Sequence, residues 1–226
     1  EQITLKQYAK RFRLSRKTII NDDLGAFTAV PRKMGRAAMR TVGDTVYAVL
    51  TANANMSDGK ALFHADHSNL ETGAGSAIST ANIDKMSQKM AKQKDYSDKA
   101  TLNIMPGFFL CPVALRSEAK ILFASEKDPK ATNANSARPN PIRNMISEDR
   151  IIADARLDVD SATAYYMLAD PAAYDVIEVA YLNGVALPRL MQQSIWLTEG
   201  VTFEAAHDFG VKSLDWRTVQ KANGAA

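Results

Sequence analysis

The stretch MGRAAMRTVGDTVYAVL, residues 34–50, places an apolar side chain at every fourth position. These side chains are Met34, Ala38, Val42, Val46 and Leu50. Because residues four apart lie on one face of an α-helix, the spacing predicts a long helix with one buried face. Pro31 either opens this helix or bends it, since proline cannot donate the helical hydrogen bond. We predict a helix over residues 24–53, with Asn21 and Asp22 accepting hydrogen bonds at its start.

The chain after this helix predicts an irregular order of connections, helices and strands. A connection rich in Gly, Ser and Asn, residues 53–80, leads to a second helix capped by Ser79 or Thr80. This helix has an apolar face of Ile83, Met86 and Met90. The apolar run LNIMPGFFLCPVAL, residues 102–115, predicts a buried strand, and residues 116–125 predict a short helix packed on it.

The second half of the chain predicts a long polar loop, residues 125–149, followed mostly by strands. The predicted strands are RIIADARLDV (150–159), TAYYMLA (163–169), DVIEVAYL (175–182), SIWLTE (194–199) and VTFEAAHDFGV (201–211). Asn183-Gly184 and Glu199-Gly200 are predicted turns. The order is that of an α+β protein, and a doubly wound nucleotide-binding fold is not expected.

Composition and motifs exclude several classes of function. The formal net charge of +3 on 226 residues does not mark the whole chain as a polyanion binder. The longest nearly apolar run, residues 105–115, is shorter than the roughly 20 residues that cross a bilayer, so no membrane helix is predicted. The only cysteine, Cys111, lies among apolar residues, and no dinucleotide, phosphate-loop or serine-nucleophile motif occurs. We therefore expect neither an enzyme nor a cofactor.

The segment LFHADHSNL, residues 62–70, is the strongest candidate for a metal site. His64, Asp66 and His67 could supply two or three ligands, but the only other histidine is His207, and the spacing matches no standard zinc pattern. The alternative is a structural loop in which Asp66 and Asn69 cap turns and both histidines form hydrogen bonds. We favour the structural loop and keep a metal-dependent hydrolase as an alternative.

The N-terminal end is strongly basic. Residues 1–40 contain ten Lys or Arg and three acidic residues. Residues 1–20 predict an extended arm or hairpin whose apolar side chains need a surface to pack on, which favours contact with another subunit over a nucleic-acid-binding module or a solvated face. The predicted interface residues are Lys10, Arg11, Arg13, Arg16 and Lys17. Their proposed acidic partners on the neighbour include Glu148 and Asp149.

Four long segments, taken together, carry a resemblance to a known family. They are LSRKTIINDDLGAF (14–27), VPRKMGRAAMRTVGDTVYAVLTANANMSDGKALFHADHSNL (30–70), IEVAYLNGVALPRL (177–190) and HDFGVKSLDWRTVQKANGA (207–225). This series resembles the major head subunit, or major capsid protein, of Mu-like tailed phages. The resemblance covers nearly the whole chain and implies the tailed-phage capsid fold.

That fold has an extended loop, a long spine helix, a peripheral β-sheet domain and an α/β axial domain. The resemblance places the extended loop at residues 1–23. It implies a peripheral domain with the spine at 24–103 and 172–210, and an axial domain at 104–171 and 211–226. In this fold an arm normally precedes the extended loop, so we expect the chain from Glu1 to be part of a longer protein.

The resemblance also implies a function and a set of partners. The chain would self-assemble as pentamers and hexamers into an icosahedral shell that encloses DNA, without any catalytic residue. The implied partners are other copies of itself, a scaffold or protease during assembly, and packaged DNA bound only non-specifically, with no membrane. The implied location is the virion, after assembly in the cytoplasm of the bacterial host.

Overall fold

The computed structural model describes residues 1–21, 29–131, 138–195 and 200–224. The chain forms two compact units. Unit 1 contains Glu1, Val49–Ile177 and Ser213–Ala226, and unit 2 contains Gln2–Ala48 and Glu178–Lys212. The chain thus leaves unit 2, builds most of unit 1, returns to unit 2 and ends in unit 1.

The strands of unit 2 form one sheet around a central long strand, with which two of them pair antiparallel. The elements are β1 (Lys6–Ser15), α1 (Arg16–Ile20), α2 (Val30–Ala52), β6 (Ile177–Tyr181), β7 (Arg189–Ile195) and β8 (Gly200–Ser213). The strand order is β1-β8-β6, and β7 also pairs with β8. Pairing of β1 with β8 runs from Lys6 opposite Phe209 to Ser15 opposite Gly200. A Cβ at Gly200 would clash with the Leu14 carbonyl oxygen, so the close pairing needs glycine there.

Helix α2 is the predicted spine helix. It begins at Val30 with Pro31 in its first turn, so proline opens the helix, and it ends at Ala52, close to the predicted end. Val42 and Leu50 are buried, and Val46 is half-buried. Residues 22–28, which include Asp22 and the predicted start of the helix, lie outside the described residues.

Asn21 ends α1, where its backbone N–H donates to the Lys17 carbonyl oxygen at 3.1 Å. Ser15 opens this short helix, and its hydroxyl accepts from the backbone N–H of Thr18. The predicted extended arm therefore contains a helical turn that its basic sequence did not indicate.

Unit 1 is built on a five-stranded mixed sheet with the order β2-β9-β5-β3-β4. Its elements are β2 (Leu70–Glu71), α3 (Thr80–Ala91), β3 (Pro106–Cys111), α4 (Arg116–Ala124), β4 (Ile151–Ala153), α5 (Ala155–Asp160), β5 (Tyr165–Ala169) and β9 (Val219–Ala222). The predicted apolar face of α3 is fully buried, and Ser79 caps the helix by accepting from the backbone N–H of Asn82. Strand β5 is buried along its whole length. The predictions of α3, β3, α4 and β5 are confirmed.

One prediction in this part of the chain is wrong. Only Ile151–Ala153 of the predicted strand 150–159 is a strand, because the Asp154 side chain accepts from the backbone N–H of Arg156 and starts helix α5. The predicted polar loop 125–149 is less exposed than expected, since Ile142 and Ile146 are buried. Residues 132–137 of that loop lie outside the described part.

The first predicted domain boundary, at residue 103, falls inside unit 1. Helix α3 lies before this boundary but is joined to strand β5 beyond it, because the Asn82 amide donates to the Tyr165 hydroxyl at 2.5 Å. The later divisions between the two units lie at Ile177 and Ser213, and the predicted domain boundaries at 171 and 210 stay predictions. Within the described residues, no helix is both long and apolar enough to cross a membrane.

Candidate assembly surface

Strand β1 carries three of the predicted interface residues, Lys10, Arg11 and Arg13, and is a regular strand of its own subunit. Tyr8 stacks on Phe209 with ring centroids 4.6 Å apart, and Leu14 is buried. The other side chains of β1 are exposed or half-buried. The backbone of the predicted arm is therefore paired with β8 of its own subunit over residues 6–15. Most of its side chains still face outward.

The five predicted interface residues are all exposed, but they do not form one face. Lys10, Arg11 and Arg13 lie on β1, where neighbouring residues point to opposite sides, and Arg16 and Lys17 lie on α1. Arg11 remains 74% exposed although its Nε donates to Glu204 Oε2 at 2.6 Å.

Glu148, the proposed partner of these arginines, is paired within its own unit. The Lys120 ammonium donates to its carboxylate at 2.6 Å and lowers the pKa of Glu148. A neighbour's arginine would have to share or replace this lysine. The suggested arginine pairing therefore has a competitor that the sequence did not reveal.

Unit 2 also exposes large apolar side chains. They are Leu5, Ile19, Ile20, Met39, Leu182, Val185, Leu187, Leu190 and Met191, and Leu187 is 71% exposed. Isolated exposed apolar residues are common on proteins, but so many on a unit of this size are typical of a surface that another protein covers. Basic and apolar side chains together give unit 2 the character of an interaction surface.

The segment LFHADHSNL is part of the architecture of unit 1. His64 Nδ1 accepts from the Asp66 backbone N–H at 3.2 Å, so His64 caps the short 3-10 helix Ala65–His67. Asp66 accepts from the Lys60 ammonium at 2.6 Å, which lowers the pKa of Asp66. The prediction of hydrogen bonds within the loop is confirmed, but the cap is His64 and not Asp66.

His67 is buried, and each of its ring nitrogens has a hydrogen-bond partner. Its Nε2 lies 2.7 Å from Asp58 Oδ2, and its Nδ1 lies 3.1 Å from the Leu62 carbonyl oxygen. The ring stacks on Trp216 at 4.4 Å. The hydrogen bond to His67 lowers the pKa of Asp58. Within the described residues, no group of three or more His, Cys, Asp or Glu could hold a metal ion.

The remaining reactive side chain, Cys111, is completely buried in strand β3. Burial raises the pKa of its thiol to about 11, so the thiolate that would act as a nucleophile is disfavoured. This environment agrees with the interpretation of Cys111 as a core residue.

Unit 2 also has a groove that no sequence pattern predicted. It has a volume of about 440 Å³ and lies between α2, β1 and β8. His207, one of its lining residues, lies in the predicted strand 201–211, but nothing in the local sequence shows that its ring is buried without a hydrogen bond. Only the pairing of β8 with distant β1 creates this environment.

Comparison with solved structures defines the class of fold. The chain matches a protein of Mycobacterium phage Patience with a TM-score of 0.64 and 13% identity, covering 99% of this chain and 70% of that chain. It matches the capsid of a native GTA particle with a TM-score of 0.60 and 13% identity, covering 99% and 74%. It also matches the holo-SrpI encapsulin complex from Synechococcus elongatus PCC 7942 with a TM-score of 0.59 and 8% identity, covering 98% and 74%. The fold is that of the tailed-phage capsid proteins.

The family follows from the sequence match. Residues 1–222 match the model of a phage capsid protein family, so the chain belongs to this family and is a phage major capsid protein. No curated protein matches the chain. The predicted capsid family, fold class and structural function are confirmed, while the narrower likeness to Mu-like phages stays a prediction.

Proposed function

We propose that the chain is the repeating subunit of an icosahedral phage or prophage head, assembled as pentamers and hexamers around DNA. The observation that carries this proposal is the family match over residues 1–222. Many weak contacts summed over a closed symmetric shell give high stability, so the subunit needs extended complementary surfaces and no strong single interface.

The exposed side chains of unit 2 support this role. Lys10, Arg11, Arg13, Arg16 and Lys17 form the proposed subunit contact, together with the exposed apolar side chains of the same unit. We assign unit 2 to the extended loop and peripheral domain, and most of unit 1 to the axial domain. A scaffold or protease during assembly, non-specific contact with packaged DNA, and assembly in the host cytoplasm before incorporation into the virion belong to the same proposal.

Neither alternative function gains support from the described residues. For a hydrolase, His67 would have to leave Asp58 and the Leu62 carbonyl, and Asp66 would have to leave Lys60. For a nucleic-acid module, Arg11 would have to leave Glu204. We propose that the protein is not an enzyme and uses no cofactor.

Electron microscopy of the full-length protein tests this function. Expressed with the scaffold it needs, the protein is expected to form closed particles of uniform diameter with pentameric and hexameric units. A protein that stays monomeric at every concentration and with every scaffold tried would contradict the proposal.

A further inference from the structure

The groove of unit 2 combines an apolar wall with positive charge. Met34, Ala37 and Ala38 of α2 line one side, and Tyr8 and Ala205 of the sheet line the other. Lys10 and Lys33 also line the groove. A volume of about 440 Å³ exceeds the ~150 Å³ that holds a benzene-sized group in a protein cavity. A compact apolar side chain with a neighbouring negative charge would fit this lining.

His207 gives the groove an unused polar group. The side chain is 3% exposed, and neither ring nitrogen has a hydrogen-bond partner in the described part of the chain. Tyr181 stacks on the ring at 5.6 Å, and Phe209 lies against it at 5.1 Å. Buried polar side chains nearly always have partners, so this imidazole can take a hydrogen-bond partner from outside the described part of the chain.

Unit 1 presents a short acidic and apolar knob, which we define as Val159 and Asp160 at the end of α5. Val159 is 90% exposed. Asp160 is exposed, ends the helix and has no hydrogen bond or ion pair among the described residues, although its charge acts on Lys221 and Tyr166 at longer range. An acidic residue at a helix C-terminus is locally unfavourable, and no basic residue lies in this last turn. The stability of α5 therefore does not explain why an acidic residue ends this helix.

We propose that the groove of one subunit binds the Val159–Asp160 knob of a second copy of the chain. The inference rests on the proposed shell function and names one of its contacts. Val159 packs against Met34 and Ala38, and the Asp160 carboxylate accepts a hydrogen bond from His207 and faces Lys33. The match is one of charge and polarity, because a basic apolar groove with a free imidazole receives an acidic apolar knob.

A crosslink between copies tests the contact directly. Protein carrying Ala38→Cys is mixed with protein carrying Val159→Cys, and oxidation is followed by non-reducing electrophoresis. We expect a disulfide-linked dimer from the mixture and none from either variant alone. The native Cys111 is buried and its thiol pKa is raised, so it is not expected to form a disulfide in this experiment. The matched control replaces Val159→Cys with Tyr96→Cys, since Tyr96 is also in unit 1 and 98% exposed.

A charge exchange gives an independent readout. Lys33→Glu and Asp160→Lys are each expected to lower the number of shells about tenfold through like-charge contacts, and the double variant is expected to recover most of the loss. The Tyr96→Ala variant should assemble as the wild type does. The contact would be overturned if the Ala38–Val159 pair forms no crosslink, if the Tyr96 control links equally well, or if the double variant shows no recovery.

The two proposals fail in different ways. Wild-type protein that never forms shells would contradict the proposed function, while the crosslink, scored at high protein concentration, still decides the contact. Wild-type shells without the crosslink would contradict the contact alone.

Discussion

Asn69 shows how a single residue holds the segment LFHADHSNL in place. Its side chain is fully buried, and its amide nitrogen donates to the carbonyl oxygens of Leu62 at 2.7 Å and Trp216 at 3.1 Å. Its amide oxygen accepts from the backbone N–H of His64 at 3.0 Å. One side chain thus joins both ends of the loop to the C-terminal segment.

Replacing Asn69→Ala is expected to lower the free energy of unfolding by about 3 kcal/mol, because three hydrogen bonds to the backbone are lost and the His64 N–H and the Trp216 carbonyl lose their side-chain partner. The control His64→Ala removes a more exposed cap and should cost under about 1 kcal/mol. Urea unfolding followed by circular dichroism measures both values. Equal losses for the two variants would show that Asn69 has no special role.

Glu71 makes unit 1 sensitive to acid. Burial alone would raise its pKa, but hydrogen bonds from Lys85 and Lys89 lower it below the usual value. A lowered carboxyl pKa stabilises the fold above the unfolded-state pKa, and this stability is lost as pH falls through the folded-state pKa. We therefore expect thermal stability to decrease below about pH 4.5.

The variant Glu71→Gln should lose about 1–2 kcal/mol at pH 7 and respond less to acid than the wild type. Glu148→Gln is the matched control, because Glu148 also pairs with a lysine but is 77% exposed. Scanning calorimetry from pH 7 to about pH 3.5 compares the three proteins. If the thermal stability of the wild type and of Glu71→Gln fell in parallel with decreasing pH, this explanation would be contradicted.

At the scale of single elements, burial along α2 is uneven. Leu50 is 1% exposed, while Val46 is only half-buried. Leu50→Ala is therefore expected to cost about 2–5 kcal/mol, and Val46→Ala about 1 kcal/mol. Chemical denaturation gives both numbers. A larger loss at Val46 than at Leu50 would mean that the assigned helix phase is wrong.

Elements with a strong local pattern could be predicted from the sequence. The four-residue spacing from Met34 to Leu50 gave α2, and the apolar run before Cys111 gave β3. Strand β9 was missed because VQKA is half polar, and only its place between β2 and β5 in the sheet buries Gln220. Helix α5 was missed because its alternating residues resemble a strand, while the deciding contact is one Asp154 cap.

The groove and the knob could not be predicted from the sequence. Tyr8 and His207 become neighbours only when β1 pairs with β8. The exposure of Val159 follows from the unexpected helix α5. Non-local pairing decides both features, and no local pattern in one sequence records it.

At the scale of the whole molecule, the basic surface of β1 and α1 has a direct test. Charge reversal at Arg11, Arg13 and Arg16 should leave the subunit folded, because a surface ion pair such as Arg11–Glu204, in which the arginine is largely exposed, contributes only about 0–1 kcal/mol. Shell formation should stop, because like-charge contacts repeat at every interface. Circular dichroism and particle counting by electron microscopy measure the two effects.

The control for this test changes the same three residues to lysine, which keeps the charge. It should fold and form shells, although fewer than the wild type if the arginines make bidentate contacts. Normal shells from the charge-reversed protein would show that this surface is not an interface.

The pairing of β1 with β8 also determines when the protein can fold during translation. Arg11 and Glu204, which pair across these strands, are separated by 193 residues of chain. Strand β9, which belongs to the sheet of unit 1, is synthesised still later. At about 5–20 residues per second, the ribosome needs roughly 10–40 s to synthesise that interval. During this time β1 and the apolar face of α2 lack their partner strand, so we expect premature association between unfinished chains to be the main hazard of folding.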